Sequence, residues 1–287
     1  MASPFIDVAP TPLATAKVGA SVPIALSTHA LCRSFGTHLV VDAVTLAIKD
    51  GEVYGLLGRN GAGKSTLIKM LTTLLPPSSG SATVGGFDVG SQATKVRRLI
   101  GYVPQSLSAD GELTGYENLL VFARLYDIPS HERAQRIVEA LGFMGLSEVA
   151  NKLVGTYSGG MIRRLEIAQS MLHRPRLLFL DEPTVGLDPV ARETVWEHIR
   201  RLRASFDTTI FMTTHYMDEA EALCSRVGFL RAGKLVADGT FAQLRNASGL
   251  KEGTVDALFA HYTGEGAETP SAYNETASTR DASQRLG

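Results

Sequence analysis

The sequence predicts an α/β fold with an antiparallel β layer and an inserted helical lobe. A glycine-rich loop lies between an apolar strand-like segment and an apolar helical segment, which is the context of a phosphate-binding loop. Residues 44–49 alternate apolar and polar side chains, as in a half-buried strand that precedes this loop. Residues from about 112 to 149 contain helical stretches, and these predict the lobe.

Composition and cysteine usage disfavour several classes of protein. Lys and Arg number 28 against 29 Asp and Glu, with a formal net charge of −1, and this balance disfavours a nucleic-acid partner. Cys32 and Cys224 lie too far apart to suggest a disulfide framework or a zinc site, so we expect reduced thiols. No apolar run approaches the ~20 residues of a membrane-spanning helix, so we expect that the chain does not span a membrane.

The two ends of the chain differ from its middle. Residues 1–23 are rich in Ala, Ser, Thr and Val and are interrupted by prolines, which predicts a flexible N-terminal extension. Residues 265–287 lack apolar periodicity, which predicts a disordered tail. Near the start of the folded region, the segment Arg33-Ser34-Phe35-Gly36 contains Phe35, a flat and apolar side chain. It could stack on an adenine ring or belong to the core, and the residues alone do not decide between these roles.

The phosphate loop is the strongest motif. Gly58–Thr66 fits Gly-x-x-x-x-Gly-Lys-[Ser/Thr], with an apolar strand before it and a helix predicted at residues 67–75. Its glycines allow backbone amides to converge on phosphate oxygens, so we expect Lys64 to neutralise the β and γ phosphates and the Ser65 hydroxyl to be a ligand for Mg²⁺. The candidate nucleotide-binding residues here are Gly58, Arg59, Asn60, Gly61, Ala62, Gly63, Lys64, Ser65 and Thr66.

After this loop, the chain predicts a short strand that delivers Gln105 to a loop, and then the helical lobe at about residues 106–172. Helical stretches are predicted at residues 116–126 and 132–141. A glutamine in a loop carries no functional signal by itself.

A second anion site is predicted at the start of the last lobe helix. Ser158 is a favourable N-cap, and Gly159 and Gly160 leave backbone amides exposed. Apolar residues then recur at helical spacing, which predicts the buried face. On this pattern, three charged residues point away from the core: Arg163, Arg164 and Glu166.

Two acids follow a continuous apolar run at residues 177–180. Open α/β sheets place their ligands at the carboxyl ends of such buried strands. We therefore expect Asp181 to hold Mg²⁺ together with Ser65, and Glu182 to accept or orient the proton of an attacking water. His215 follows the next buried strand and could contact a γ-phosphate, although a single histidine at a strand end is more often a local hydrogen-bonding residue.

In this order, the motifs resemble the ATP-binding subunit of an ABC transporter. The resemblance covers about residues 24–264 and is strongest to daunorubicin-resistance-type drug exporters, through residues 157–161, 182–189 and 214–220. Tyr157 and Met161 depart from the general Leu-Ser-Gly-Gly-Gln signature, but both are usual in this branch.

The resemblance implies a P-loop NTPase core of ABC type that binds and hydrolyses ATP with Mg²⁺. It implies catalytic roles for Glu182, His215, Gln105 and Asp188, and Gln105 as a further Mg²⁺ ligand. It also implies that two copies face head to tail, so that Ser158–Gly160 of one contacts ATP on the phosphate loop of the other.

Further implications concern location and partners. The resemblance implies a peripheral protein at the cytoplasmic face of the membrane, with a separate membrane-spanning permease subunit and a second ATPase domain, most simply an identical copy. Drug export is the first expectation for cargo, and lipid, polysaccharide or ion export remains open.

Two other functions remain as alternatives. A soluble ABC-type mechanoenzyme that acts on DNA or ribosomes usually carries long coiled-coil insertions or two nucleotide domains, whereas this chain has one phosphate loop and no extended heptads. A GTP-dependent switch would favour an Asn-Lys-x-Asp element, and the segment at residues 151–154 lacks the aspartate.

Overall fold

The computed structural model describes residues 23–250 and 253–264. The predicted disordered tail, and all but the last residue of the predicted N-terminal extension, therefore lie outside the described residues. No helix in these described ranges is long and apolar enough to cross a membrane.

Strands form two sheets in the described part of the chain. They are β1 (Ile24–Phe35), β2 (His38–Lys49), β3 (Val53–Leu57), β4 (Ser79–Val84), β5 (Phe87–Asp88), β6 (Ile100–Val103), β7 (Leu177–Asp181), β8 (Thr209–Thr214), β9 (Arg226–Arg231) and β10 (Lys234–Gly239). The smaller sheet has the order β2-β1-β4-β5 and is antiparallel throughout. The larger has the order β10-β9-β3-β8-β7-β6, and its strands are parallel apart from β10.

Helices connect the strands. They are α1 (Lys64–Leu71), α2 (Ala93–Leu99), α3 (Gly115–Leu125), α4 (Ser130–Phe143), α5 (Gly159–Met171), α6 (Pro189–Phe206), α7 (Met217–Leu223), α8 (Phe241–Ser248) and α9 (Val255–Thr263). The inserted helical lobe lies between β6 and β7 and contains α3, α4 and α5, with short 3₁₀ turns before α5. The lobe boundaries at about 106 and 172 stay a prediction.

Strands β3, β7 and β8 of the larger sheet are buried on both faces, because their side chains alternate between two apolar layers. On β3, Val53 and Leu57 belong to an apolar cluster that also contains residues of α6, α7, α9 and the helical lobe, whereas Tyr54 and Leu56 belong to a cluster with α1 and the antiparallel sheet. The β8 residue Phe211 lies on the second side, with its ring centroid 5.6 Å from that of Tyr54. The antiparallel sheet follows the predicted alternation, with residues 44, 46 and 48 buried and 45, 47 and 49 exposed.

Helix α1 differs from its predicted bounds. It begins at Lys64 and ends at Leu71, whereas the apolar pattern predicted residues 67–75. The helix starts earlier because the last residues of the phosphate loop, from Lys64 onward, already form its first turn. It ends earlier because Thr73 has a left-handed backbone and Leu74 is largely exposed.

The parallel arrangement fixes where the chemistry lies. The carboxyl ends of parallel strands lie at one edge of a sheet, where α/β proteins bind ligands. Strands β3, β6, β7 and β8 therefore deliver the phosphate loop, the Gln105 loop, the Asp181–Glu182 pair and His215 to the same edge.

Candidate functional site

The phosphate loop runs from the end of β3 into the amino end of α1. Gly63 has φ of 106°, and a side chain there would place its Cβ 2.7 Å from the backbone oxygen of Val40. Only glycine fits this position without moving the backbone. Helix α1 has no acidic residue in its first turn, so its amino end keeps the positive end of its dipole.

A cleft opens over this loop. Its lining contains residues from the loop together with the predicted Gln105 and Glu182. The lining residues are Val40, Arg59, Asn60, Gly61, Gly63, Lys64, Ser65, Thr66, Gln105 and Glu182. Val40, from the antiparallel sheet, was not predicted, because an apolar residue in a strand carries no sequence signal for a binding site.

Glu182 is the centre of the site. Its carboxylate oxygen Oε1 lies 3.0 Å from Lys64 Nζ, while Oε2 accepts from Gln105 Nε2 at 3.1 Å and lies 3.2 Å from His215 Nδ1. These four side chains come from four segments that are far apart in sequence. The structure thus brings together the predicted catalytic carboxylate, the phosphate-loop lysine, the glutamine and the histidine.

The environment keeps Glu182 ionised. Burial raises the pKa of its carboxyl, but the contacts with His215 and the Lys64 ammonium outweigh burial and hold the pKa below its ordinary value. Its backbone is also unusual, because φ is +49° in a residue other than glycine. Strained backbone of this kind is found at functional sites when surrounding contacts hold it, and the Glu182 amide here donates to both Thr213 O and Thr213 Oγ1.

Asp181 lies beside Ser65. Ser65 Oγ donates to Asp181 Oδ1 at 3.1 Å, and Thr213 Oγ1 donates to the same oxygen at 2.6 Å. Burial raises the pKa of Asp181, and these two hydrogen bonds oppose that rise without cancelling it. Thr213 is a site residue that the sequence pattern missed, since a threonine within a buried strand gives no signal of its own.

The pair Ser65 and Asp181 fits a magnesium ion. A hydroxyl and a carboxylate oxygen at hydrogen-bond distance are hard oxygen donors, and Mg²⁺ usually takes one or two protein oxygens with phosphate and water. Across residues 23–250 and 253–264, no group of three or more His, Cys, Asp or Glu side chains is arranged to hold a metal ion. The magnesium ion would therefore need phosphate and water as further ligands.

The predicted signature lies outside this cleft. Ser158 caps α5, with its Oγ accepting from Met161 N at 3.3 Å, and both Ser158 and Gly159 are exposed. Gly160 is buried because it packs against α6, where an added Cβ would meet Ala191 Cβ at 2.9 Å. The residues Ser158–Gly160 do not line the cleft over the phosphate loop of their own chain.

Two other predicted residues also lie away from the lining. Phe35 is 48% exposed at the end of β1, and the Arg33 guanidinium lies 4.7 Å from its ring centroid. Phe35 is therefore a surface residue. Asp188 is exposed and caps α6 by accepting from Ala191 N at 2.9 Å.

The prediction for the charged residues of α5 was wrong for two of the three. Arg163 and Glu166 do not point away from the core: they are buried and form an ion pair at 3.0 Å. Arg163 also donates to the backbone oxygens of Pro104 and Gln105. Their spacing of three residues with opposite charge was the available signal, because such residues are neighbours on a helix surface.

The family model for ABC transporters matches residues 41–185. The chain belongs to the ABC transporter ATP-binding proteins. It is 44% identical to the daunorubicin/doxorubicin resistance ATP-binding protein DrrA of Streptomyces peucetius, over 78% of this chain and 68% of that protein. It is 41% identical to the linearmycin resistance ATP-binding protein LnrL of Bacillus subtilis (strain 168), over 74% and 68%. It is 43% identical to the Nod factor export ATP-binding protein I of Rhizobium sp. (strain N33), over 76% and 71%.

Solved structures confirm the predicted fold. An ATP-binding subunit of an ABC transporter matches with a TM-score of 0.75 and 29% identity, over 83% of this chain and 99% of that one. A dimeric ATP-binding cassette with ADP and phosphate bound matches with a TM-score of 0.67 and 26% identity, over 75% and 98%. The chain therefore has the ABC-type P-loop fold, and it binds and hydrolyses ATP as the energy-supplying subunit of an ABC transporter.

Proposed function

We propose that this protein powers the export of a hydrophobic drug through a separate membrane-spanning permease, as a homodimer bound at the cytoplasmic face of the membrane. The observation that carries the hydrolytic part is the position of Glu182, whose carboxylate contacts Lys64, Gln105 and His215 beside the phosphate loop. The cargo rests on similarity to drug-resistance ATP-binding proteins.

Each side chain of the cleft has a task in this proposal. Lys64 is 4% exposed and its ammonium donates to Gly58 O at 2.6 Å, so it is fixed over the loop where β and γ phosphates would lie. The phosphates compete with Glu182 for this cation. Glu182, ionised and held by the other two partners, accepts the proton of the attacking water.

Ser65 and Asp181 would hold a magnesium ion, which would supply positive charge to neutralise the phosphate oxygens. Gln105, in the loop after β6, would be a further oxygen ligand for the ion. His215, which lies against Glu182, would contact the γ-phosphate. Asp188, exposed at the start of α6, would contribute to catalysis at the dimer interface.

The dimer follows from the separation of the two anion-binding segments. Ser158 and Gly159 are exposed and lie outside the cleft of their own chain, so their amides are available to a nucleotide held by a second copy. The dimeric cassette with ADP and phosphate bound supports this arrangement by fold similarity. ATP would then act as a shared ligand that joins two copies. Phe35, exposed at the end of β1, would stack on the adenine ring.

The test is a pull-down of tagged Glu182→Gln protein from native membranes in the presence of ATP. Recovery of a multi-spanning protein, and loss of resistance to drugs of the daunorubicin or linearmycin type on deletion of the chain, is the expected result. Recovery of soluble partners alone, with the protein absent from membranes, would contradict the exporter and favour a mechanoenzyme.

The second candidate cargo is a lipid or polysaccharide in place of a drug. The observation that favours it is the identity of 43% to a Nod factor export protein, which is close to the 44% to a drug-resistance protein. Unchanged drug sensitivity in the deletion strain, with the permease still recovered, would favour this candidate.

A further inference from the structure

A buried polar stripe runs along one side of α5. It consists of Arg163, Glu166 and Gln169, which are spaced three residues apart and are 1%, 3% and 2% exposed. Burying two charges and an amide on a helix is unfavourable unless each group is paired and hydrogen-bonded. The partners of these three side chains therefore identify what the stripe holds in place.

Arg163 and Glu166 hold the Gln105 loop. Arg163 Nη1 donates to Pro104 O at 2.6 Å, and Nη2 donates to Gln105 O at 2.7 Å. The planar guanidinium thus hydrogen-bonds to two successive backbone carbonyls. Glu166 Oε2 pairs with Arg163, while its Oε1 accepts from the backbone amide and hydroxyl of Ser108. The ion pair thus fixes the loop on both sides of residue 106.

The third member of the stripe holds a different segment. Gln169 Nε2 donates to Asn118 Oδ1 at 3.3 Å, and Asn118 in turn holds Asp110 and Thr114 through its amide. Gln169 is as buried as Arg163 but touches neither Gln105 nor Glu182. It is a natural matched control for burial of a polar side chain on α5.

The far side of the Gln105 loop reaches the catalytic carboxylate. Gln105 Nε2 donates to Glu182 Oε2, while the backbone oxygen of the same residue is held by Arg163. One residue is therefore bonded to α5 through its main chain and to Glu182 through its side chain. Arg163 lies little more than one helical turn after the capping residue Ser158, on the same rigid helix.

We propose that Arg163 is a positioning residue for hydrolysis: it sets the distance of the Gln105 amide from Glu182 and links that distance to the position of the signature end of α5. The inference rests on the proposed role of Glu182 as base. Arg163 and its ion pair with Glu166 would then affect turnover although Arg163 does not line the cleft.

The test is a double-mutant cycle on full-length protein with Arg163→Lys, Gln105→Ala and the combination. Lysine keeps the charge but cannot grip two carbonyls, so we expect kcat to fall about tenfold with KM for ATP changed less than about twofold. In the Gln105→Ala background, Arg163→Lys should lower kcat by less than about twofold, because residues that act through one another are not additive.

Several outcomes would overturn the inference. One is a fall in kcat on Arg163→Lys of the same factor with and without the Gln105 side chain, since a merely structural effect would be independent of it. Another is an equal loss on Gln169→Leu, which removes a polar group from the same stripe and should lower the melting temperature while changing kcat less than about twofold. Unchanged kcat on Arg163→Lys would also reject it.

If Arg163→Lys does not fold, Glu166→Gln takes its place in the cycle, because Glu166→Gln removes the charge that pairs with Arg163 but retains an acceptor for Ser108. The inference then requires that Glu166→Gln lower kcat in the wild-type background and lower it by less than about twofold in the Gln105→Ala background. Glu182→Gln is measured alongside: full turnover in that variant would refute the base assignment itself, whereas its loss with an additive cycle would refute only the role of Arg163.

Discussion

The phosphate-loop edge of the large sheet and the signature end of α5 are both predicted to bind anions, but they are built differently. At the phosphate loop, four parallel strands bring Lys64, Gln105, Glu182 and His215 into contact within one chain. At the signature, one capped helix end presents exposed amides with no acidic residue in its first turn. Under the proposed function, the first region binds the phosphates of a nucleotide within one chain, whereas the second completes the site of another copy.

The largest effect should come from the catalytic carboxylate of the first region. Glu182→Gln keeps the shape and hydrogen-bonding capacity of the side chain but removes its basicity. We expect kcat to fall by about 10²–10⁴-fold, the usual contribution of a general base, with ATP affinity changed by less than about threefold. Phosphate release and equilibrium nucleotide binding measure the two quantities, and turnover close to wild type would exclude Glu182 as the base.

Lys64→Ala should instead weaken nucleotide binding. The lost hydrogen bond to a charged phosphate is worth about 1.5–3 kcal/mol, so we expect ATP affinity to fall by about tenfold to a hundredfold. Lys69→Ala is the matched control, since Lys69 lies on the same helix and is exposed. Equal affinities of the two variants in a titration with ATP would contradict the role of Lys64.

The signature can be separated from ordinary helix capping. Ser158→Ala and Thr254→Ala each remove an N-cap, at α5 and α9 respectively, and each should destabilise the protein by about 1 kcal/mol. Only Ser158→Ala should also weaken ATP-driven association of the Glu182→Gln protein. Urea unfolding and light scattering give the two readouts. If Thr254→Ala weakens association equally, the signature has no special role.

The smallest effect concerns pH. The pKa of Glu182 is lowered in the folded protein, so this carboxylate stabilises the fold above its ordinary pKa, about 4.3, and that stabilisation is lost as pH falls through the lowered value. The difference in unfolding free energy between wild type and Glu182→Gln should therefore shrink between pH 6 and about pH 3.5. A difference that grows on acidification would contradict the assigned direction.

The two regions also differ in how far the sequence predicted them. The phosphate loop and the two acids at the end of β7 were predicted because their residue types and order are typical of phosphate and magnesium sites, and the sheet edge then brings them together. The strand at residues 44–49, which lies within β2, was predicted from its alternation of apolar and polar side chains. These features depend on local sequence patterns and on the rule that parallel strands place their carboxyl ends at one edge of the sheet.

What the sequence did not reveal depends on tertiary contacts. Arg163 and Glu166 were expected to point away from the core because they lie off the apolar stripe of α5, and only the fold shows that they form a buried ion pair against the Gln105 loop. Thr213 and Val40 entered the site through neighbouring strands. The bounds of α1 were shifted because the loop geometry at Gly63, rather than the apolar pattern, starts the helix.

The most direct test of the contrast is the mass of Glu182→Gln protein in solution, measured by size-exclusion chromatography with light scattering, with and without ATP and magnesium. The account predicts a monomer of 30.7 kDa without nucleotide and a species of twice that mass with ATP. A monomer that persists when ATP is bound to saturation would contradict it, because the signature of one copy would then have no part in holding the nucleotide of another.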